Sequence, residues 1–315
     1  MKKTIYTNTF FVTVMALLCC ALWGSATPFI KLGYEFCLTE KNVSSTILFA
    51  GIRFAFAGVL TVIIYSIAGR KFLIPKKENL GRVLKVSAFQ TVIQYILFYV
   101  GLANTTGVKG TVASGSNSFF VILISSLIFK LEKLTFKKVF ACILGFAGII
   151  LVNIKGLDFN MNFTGDGFVL LSAVSYAVSS VIMKKYSQYE NPVVLSGYQF
   201  IAGGLFMIIV GLIFGGTVSV VTLKGFGVLV YLALLSAIAY SVWGILLKYN
   251  PVSKVTIFGF MIPVFGVLLS NIMLSENSGV SVVNLLITLL LICSGIIILN
   301  YKKPGAEKVT KKDKM

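Results

Sequence analysis

The sequence predicts an all-α polytopic membrane protein: ten transmembrane helices arranged as two inverted five-helix repeats. Three observations lead there. The 315 residues are 57% hydrophobic and only 12% charged, with a mean hydropathy of +0.94, which no soluble domain of this length approaches. The apolar residues fall into ten runs of membrane-spanning length. The second half of the chain then repeats landmarks of the first half in the same order.

A helix needs about 20 apolar residues to cross roughly 30 Å of hydrocarbon. The runs lie near 10–33, 46–68, 83–104, 109–129, 137–154, 167–186, 193–215, 226–248, 255–275 and 281–300. The first carries Cys20-Ala21-Leu22-Trp23-Gly24-Ser25-Ala26-Thr27-Pro28-Phe29-Ile30-Lys31. Pro28 removes a backbone donor, so the sequence predicts an interruption here. In hydrocarbon such a break survives only against protein or a water-filled cavity, which turns this helix toward the bundle interior. Met1-Lys2-Lys3 and the small residues Gly24-Ser25-Ala26 also fit a signal peptide. The rest of the chain is equally apolar and decides for a span. The connections are short, and residues 302–315 form a basic tail expected to lie on an anionic leaflet.

The net charge of +18 does not point to nucleic acid, because the cations sit between spans. Assigned to alternate sides, 22 Lys and Arg fall on one side and 5 on the other, with Arg53 inside a span. The positive-inside rule then puts both termini in the cytoplasm of a multi-pass plasma-membrane protein. The five cysteines form no C-x-x-C pair, and no disulfide framework, metal or cofactor is expected.

The repeat is visible residue by residue. Gly148-Ile149-Ile150-Leu151-Val152-Asn153 recurs as Gly295-Ile296-Ile297-Ile298-Leu299-Asn300. Gly51-Ile52-Arg53-Phe54 recurs as Gly197-Tyr198-Gln199-Phe200, and Glu132 as Glu276. Trp23 and Lys31 align with Tyr176 and Lys184. Five spans per half is an odd number, so the second half enters the bilayer inverted, which is a transporter architecture with its site between the halves.

With these landmarks the chain resembles the drug/metabolite transporter superfamily, specifically its EamA-type permeases. The likeness runs from Ala16 to Asn300. It rests on Leu22-Trp23-Gly24-Ser25 with Pro28, Arg53, Gly101-Leu102, Pro263 followed by Glu276, and the Gly-Ile-Ile endings. It implies repeats over 1–155 and 164–301, a 302–315 tail, a cavity among the first four helices of each half, and a peripheral fifth. The proline usual in helix four is missing, with Ser118 and Phe119 near its place. The first repeat is therefore expected to lack the kink that Pro263 gives the second.

Arg53 is the only charge well inside a span, roughly 12 Å from the helix end at 1.5 Å per residue. An intramembrane arginine costs about 2.5–3.5 kcal/mol on insertion scales and so needs a role. It either clamps a substrate carboxylate bidentately or holds carbonyls of a broken neighbour. Because the resemblance places it there whatever the substrate, the structural role is favoured. Gln90, Gln94 and Tyr95 on helix three, and Ser236, Tyr240 and Trp243 on one face of helix eight, are further polar candidates. Ser114 and Asn117 add a polar face on helix four, Gln199 and Tyr176 lie in the second half, and Glu132 and Glu276 are gate or structural candidates. All ten acidic residues fall at or beyond span ends, which disfavours a buried-carboxylate proton relay.

The expected function is transport of a small metabolite, amino-acid-like or otherwise polar or amphipathic. It would run by alternating access, in the export direction. The expected partners are that small-molecule substrate and the lipid bilayer, not nucleic acid, with a homodimer left open. The alternative within the same resemblance handles lipids or lipid-linked intermediates. A membrane enzyme is disfavoured: no histidine, no paired carboxylates in a span and no nucleophile motif occur.

Overall fold

A computed structural model describes residues 5–154, 157, 160–219, 222–274 and 281–301. Ten helices are long and apolar enough to cross a membrane. They are α1 (Thr9–Cys37), α2 (Val43–Ala68), α3 (Lys77–Ala103), α4 (Gly107–Ile128), α5 (Phe136–Asn153), α6 (Phe163–Tyr186), α7 (Pro192–Ile213), α8 (Leu223–Tyr249), α9 (Val252–Ser270) and α10 (Val283–Asn300). Short polar residues start them. Side chains of Asn8, Asn42, Thr106, Asn162, Asn191, Thr222 and Ser281 each accept a backbone N–H of the following first turn. Those donors have no partner within the helix, and a side-chain oxygen satisfies them where bilayer meets water.

The packing obeys a pseudo-two-fold axis. α1 lies against α8 and α9, and its counterpart α6 lies against α3 and α4; α2 packs on α7, and α5 on α10. Swapping the halves maps each contact onto another or onto itself. Glycines set the closest approach. A Cβ on Gly204 would stand 2.3 Å from the Ala55 nitrogen, and one on Gly58 2.5 Å from the Gly197 carbonyl oxygen. In the repeat these positions exchange, Gly51 with Gly197 and Gly58 with Gly204. The outer pair behaves alike: Thr288 Oγ1 donates to the Gly148 carbonyl at 3.1 Å, while Gly295 faces the Ala141 carbonyl. Small residues let membrane helices approach this closely.

Two sequence expectations about kinks change. α1 is continuous through the buried Pro28 and runs on to Cys37. Pro28 cannot bond the Gly24 carbonyl, and at Gly24 the α1 backbone packs directly on α9 at Gly266. α4 is interrupted without a proline, at Ser116 between Gly115 and Asn117, where Gly115 leaves room for Ile149 of α5. In α9 the 3₁₀ turn Ile257–Phe260 precedes a helix that starts at Met261. Pro263 thus falls in a first turn, where its missing N–H costs little. Glu276 and the 302–315 tail lie outside the described residues.

Candidate functional site

The middle of the bundle is built on the pseudo-axis. Phe54 of α2 and Phe200 of α7, equivalent in the repeat, stack on one another at 5.2 Å with rings 4° apart. From there aromatic contacts run without a gap. Phe54 meets Tyr95 of α3 at 4.4 Å, and Phe200 meets Tyr240 of α8 edge-on at 4.8 Å. The Tyr95 and Tyr240 hydroxyls share a 3.0 Å hydrogen bond. Trp23 of α1 stands edge-on to both Tyr240 and Trp243, at 5.0 Å each. Edge-to-face pairs at such spacings are the favoured aromatic geometry. The structure therefore brings Trp23, Arg53, Tyr95, Tyr240 and Trp243 into one region. Tyr176 is buried in the adjoining cluster with Trp243. Pro28 is buried in the interior of α1, and Pro263 sits in the first turn of its α9 segment. Ser114 and Asn117 join none of these contacts.

α3 is distorted where it passes this region. Residues Ala88–Ile93 form a π-turn, a bulge often found at functional sites. Ser175 of α6 donates to the Phe89 carbonyl at 2.6 Å. The wider turn aims Gln90 inward, and lets Thr91 donate to Gln199 Oε1 at 2.6 Å. Thr91, Phe54 and Phe200 are residues that sequence reasoning missed. The two phenylalanines were readable, since each follows Arg53 or Gln199 in the aligned quartets. Thr91 left no signal.

Several buried polar atoms on these helices have no partner. Trp23 Nε1, Trp243 Nε1, Arg53 Nε, Gln199 Nε2, Gln90 Oε1 and Gln94 Oε1 are buried and make no hydrogen bond. Each such group costs about 1–3 kcal/mol, and native proteins seldom carry more than a few. Arg53 is 4% exposed, and its guanidinium lies 4.3 Å over the Phe54 ring and 6.0 Å from Tyr95. Among the described residues no carboxylate pairs with it. A carbonyl-holding role has no bond behind it either. No cluster of His, Cys, Asp and Glu among the described residues could hold a metal.

Polar ties join the halves at both ends. At the lysine-rich end Glu132, between α4 and α5, accepts Ser253 N of α9 at 3.1 Å and the Ser253 hydroxyl. It also pairs with Lys138 at 2.6 Å. Within the second half, Lys184 of α6 donates to the Lys248 and Asn250 carbonyls at the end of α8, at 2.8 and 2.9 Å. At the opposite end Thr105 donates to Asp166, and Ser219 N donates to the Cys37 carbonyl at 2.9 Å. Partial burial opposes ionisation of Glu132, but the bonds from Lys138 and Ser253 outweigh it and hold the carboxyl below its usual 4.5. A depressed carboxyl stabilises the tie fully above that ordinary value and stops doing so as pH falls through the lowered one. Glu132→Gln removes a charged hydrogen bond of about 1.5–3 kcal/mol. We expect roughly ten- to hundredfold faster labelling of a cysteine at Ser253 in the purified variant, against the same cysteine beside Glu132. Equal labelling would reduce Glu132 to a surface charge.

The comparisons with known proteins agree with this architecture. The model of the EamA-like transporter family matches residues 10–154 and again 163–301. The chain belongs to the EamA-like transporter family. It is a multi-pass membrane transporter and not an enzyme. A protein of Archaeoglobus fulgidus named an uncharacterized transporter is 27% identical over 269 residues, 84% of this chain and 90% of that one. The uncharacterized transporter YvbV of Bacillus subtilis is 27% identical over 296 residues, 89% of this chain and 88% of its own. A chloroplastic WAT1-related protein of Arabidopsis thaliana is 24% identical, and this chain spans 66% of its length. A solved crystal structure superposes with a TM-score of 0.73 at 16% identity, covering 91% of this chain and 97% of its own, and shows the same fold.

Proposed function

We propose that this EamA-family transporter exports a small zwitterionic solute of amino-acid type, held at the centre of the bundle and released by alternating access. The observation that carries the reading is the set of partnerless buried groups. Arg53, Gln199, Trp23 and Trp243 offer donors suited to a carboxylate, with Arg53 supplying the charge. Gln90 and Gln94 offer amide oxygens, and the indoles offer ring faces, suited to an ammonium. Acidic residues lie only near the ends of the spans, so a solute ammonium would meet amide oxygens and ring faces and not a carboxylate. The ties at the two ends would alternate, one set breaking while the other holds, as the inverted halves rock. The lysine-rich end faces the cytoplasm in this reading, with both termini there.

Metabolite profiling of cells with and without the protein selects candidates, and counterflow into proteoliposomes tests them. We expect accumulation of labelled amino-acid-like zwitterions, and none of their carboxamide or decarboxylated analogues. Counterflow of cationic amines with no carboxylate dependence would overturn the zwitterion, as would scrambling of labelled lipid in its place. Labelling of Lys76→Cys from outside intact cells would overturn the orientation.

A further inference from the structure

Two clefts lie side by side at the lysine-rich end, away from the centre of the bundle. One, of about 560 Å³, is lined by Tyr6, Tyr65, Lys76, Glu190, Lys248 and Tyr249 among others. The other, of about 360 Å³, is lined by Leu131, Lys184, Lys185, Gln188, Tyr189 and Lys248. Lys248, Gln188 and Tyr189 belong to both. We propose that this joint cleft binds the phosphodiester headgroup of an anionic lipid, with Lys76, Lys185 and Lys248 supplying the positive charge.

Lys184 is occupied by the carbonyls at the end of α8. Lys76, Lys185 and Lys248 pair with no carboxylate among the described residues, although Glu190 lies in the same wall. Glu190 stays ionised and offsets one of these charges, chiefly that of Lys76, so the cleft keeps a net positive charge. Its oxygens are taken by Asn79 Nδ2 at 2.9 Å and by the backbone N–H groups of Lys76 and Asn191 at 3.0 and 2.9 Å. Burial opposes its ionisation, and these bonds outweigh it, holding the carboxyl below its ordinary range. It is a brace that fixes the loop before α3 against the start of α7. Three ammonium groups facing one concavity raise its potential and draw in an anion.

The aromatic lining sets the depth. Tyr6 stacks on Tyr249 at 5.1 Å with rings 13° apart, and Arg82 lies 4.3 Å over the Tyr189 ring. Tyrosines placed this way mark the headgroup level of a bilayer. An acyl chain also has a path. Ile238, Ile245 and Tyr249 are spaced seven and four along α8 and share one face, with Ile238 38% and Tyr249 42% exposed. That lane runs from the cleft toward mid-membrane. A lipid is thus favoured over a free phosphate, which would use the lysines and leave the lane idle.

The test compares thermal unfolding of the full chain in nanodiscs of phosphatidylcholine, with and without added phosphatidylglycerol. Native mass spectrometry counts the lipid retained. We expect phosphatidylglycerol to raise the melting temperature by several degrees and to survive as a one-lipid adduct. The Lys76→Gln, Lys185→Gln, Lys248→Gln variant should lose both. The Lys133→Gln, Lys137→Gln variant lowers charge at the same end but outside the cleft, and should keep both. Equal loss in the two variants would mean diffuse attraction and overturn the site. The same gain from inorganic phosphate in phosphatidylcholine discs would assign the cleft to a soluble anion and overturn the lipid. If the triple variant misfolds, Lys248→Gln alone should still lower adduct retention, and unchanged retention would overturn the proposal.

Discussion

Gly204→Leu should abolish the folded protein. The new side chain would begin 2.3 Å from the Ala55 nitrogen and 2.8 Å from the Gly51 carbonyl oxygen, and both are backbone atoms that cannot rotate away. Overpacking typically costs about 1–3 kcal/mol when side chains yield. Here α2 and α7 must separate, so the loss should exceed that range and cut the folded fraction more than about a hundredfold. Gly227→Leu, where nothing lies within 4 Å, should fold like the parent. The check is monodisperse yield and melting temperature in detergent. A well-folded Gly204→Leu protein would mean that the halves do not cross at these glycines.

Arg53→Gln should spare the fold and destroy transport. The substitution copies the equivalent Gln199, keeps a polar though shorter side chain, and removes the charge of a buried arginine. Loss of a charged hydrogen bond costs about 1.5–3 kcal/mol, which is a ten- to hundredfold drop in kcat/KM for a carboxylate-bearing solute. Solutes without a carboxylate should gain relative to it. If the arginine held the helices together instead, the variant would fail to accumulate in the membrane at all. Yield and counterflow measured on the same preparation separate the two outcomes.

The architecture was legible because hydropathy and repetition are one-dimensional signals. The ten runs and the Gly51/Gly197 and Gly148/Gly295 pairings needed no coordinates. The site was legible in part. Trp23, Tyr95 and Tyr240, which lie together in the candidate site, stood out as polar or amphipathic groups in apolar helices, and Gln199 as the equivalent of Arg53 in the repeat. What the sequence hid was how these groups meet. The Thr91–Gln199 bond depends on a π-turn at Ala88–Ile93 that no residue type announces. Pro28 suggested a broken helix, yet α1 stays whole and packs backbone to backbone on α9 at Gly24 and Gly266. Conversely α4 is interrupted at Ser116 with no proline, next to a glycine that leaves room for Ile149 of α5. Such outcomes depend on neighbours far away in the chain, and local pattern carries no record of them.

The two tryptophans of the chain, Trp23 and Trp243, are 5.0 Å apart in the proposed site. Intrinsic fluorescence of the purified protein therefore reads that site with no added probe. Titrated with the zwitterion selected by counterflow, the parent should show a saturable change in intensity or emission maximum. Its midpoint should match the transport KM, and Arg53→Gln should shift it upward by tenfold or more. Saturable transport with an unchanged tryptophan signal across the same concentrations would place the solute elsewhere and contradict the account.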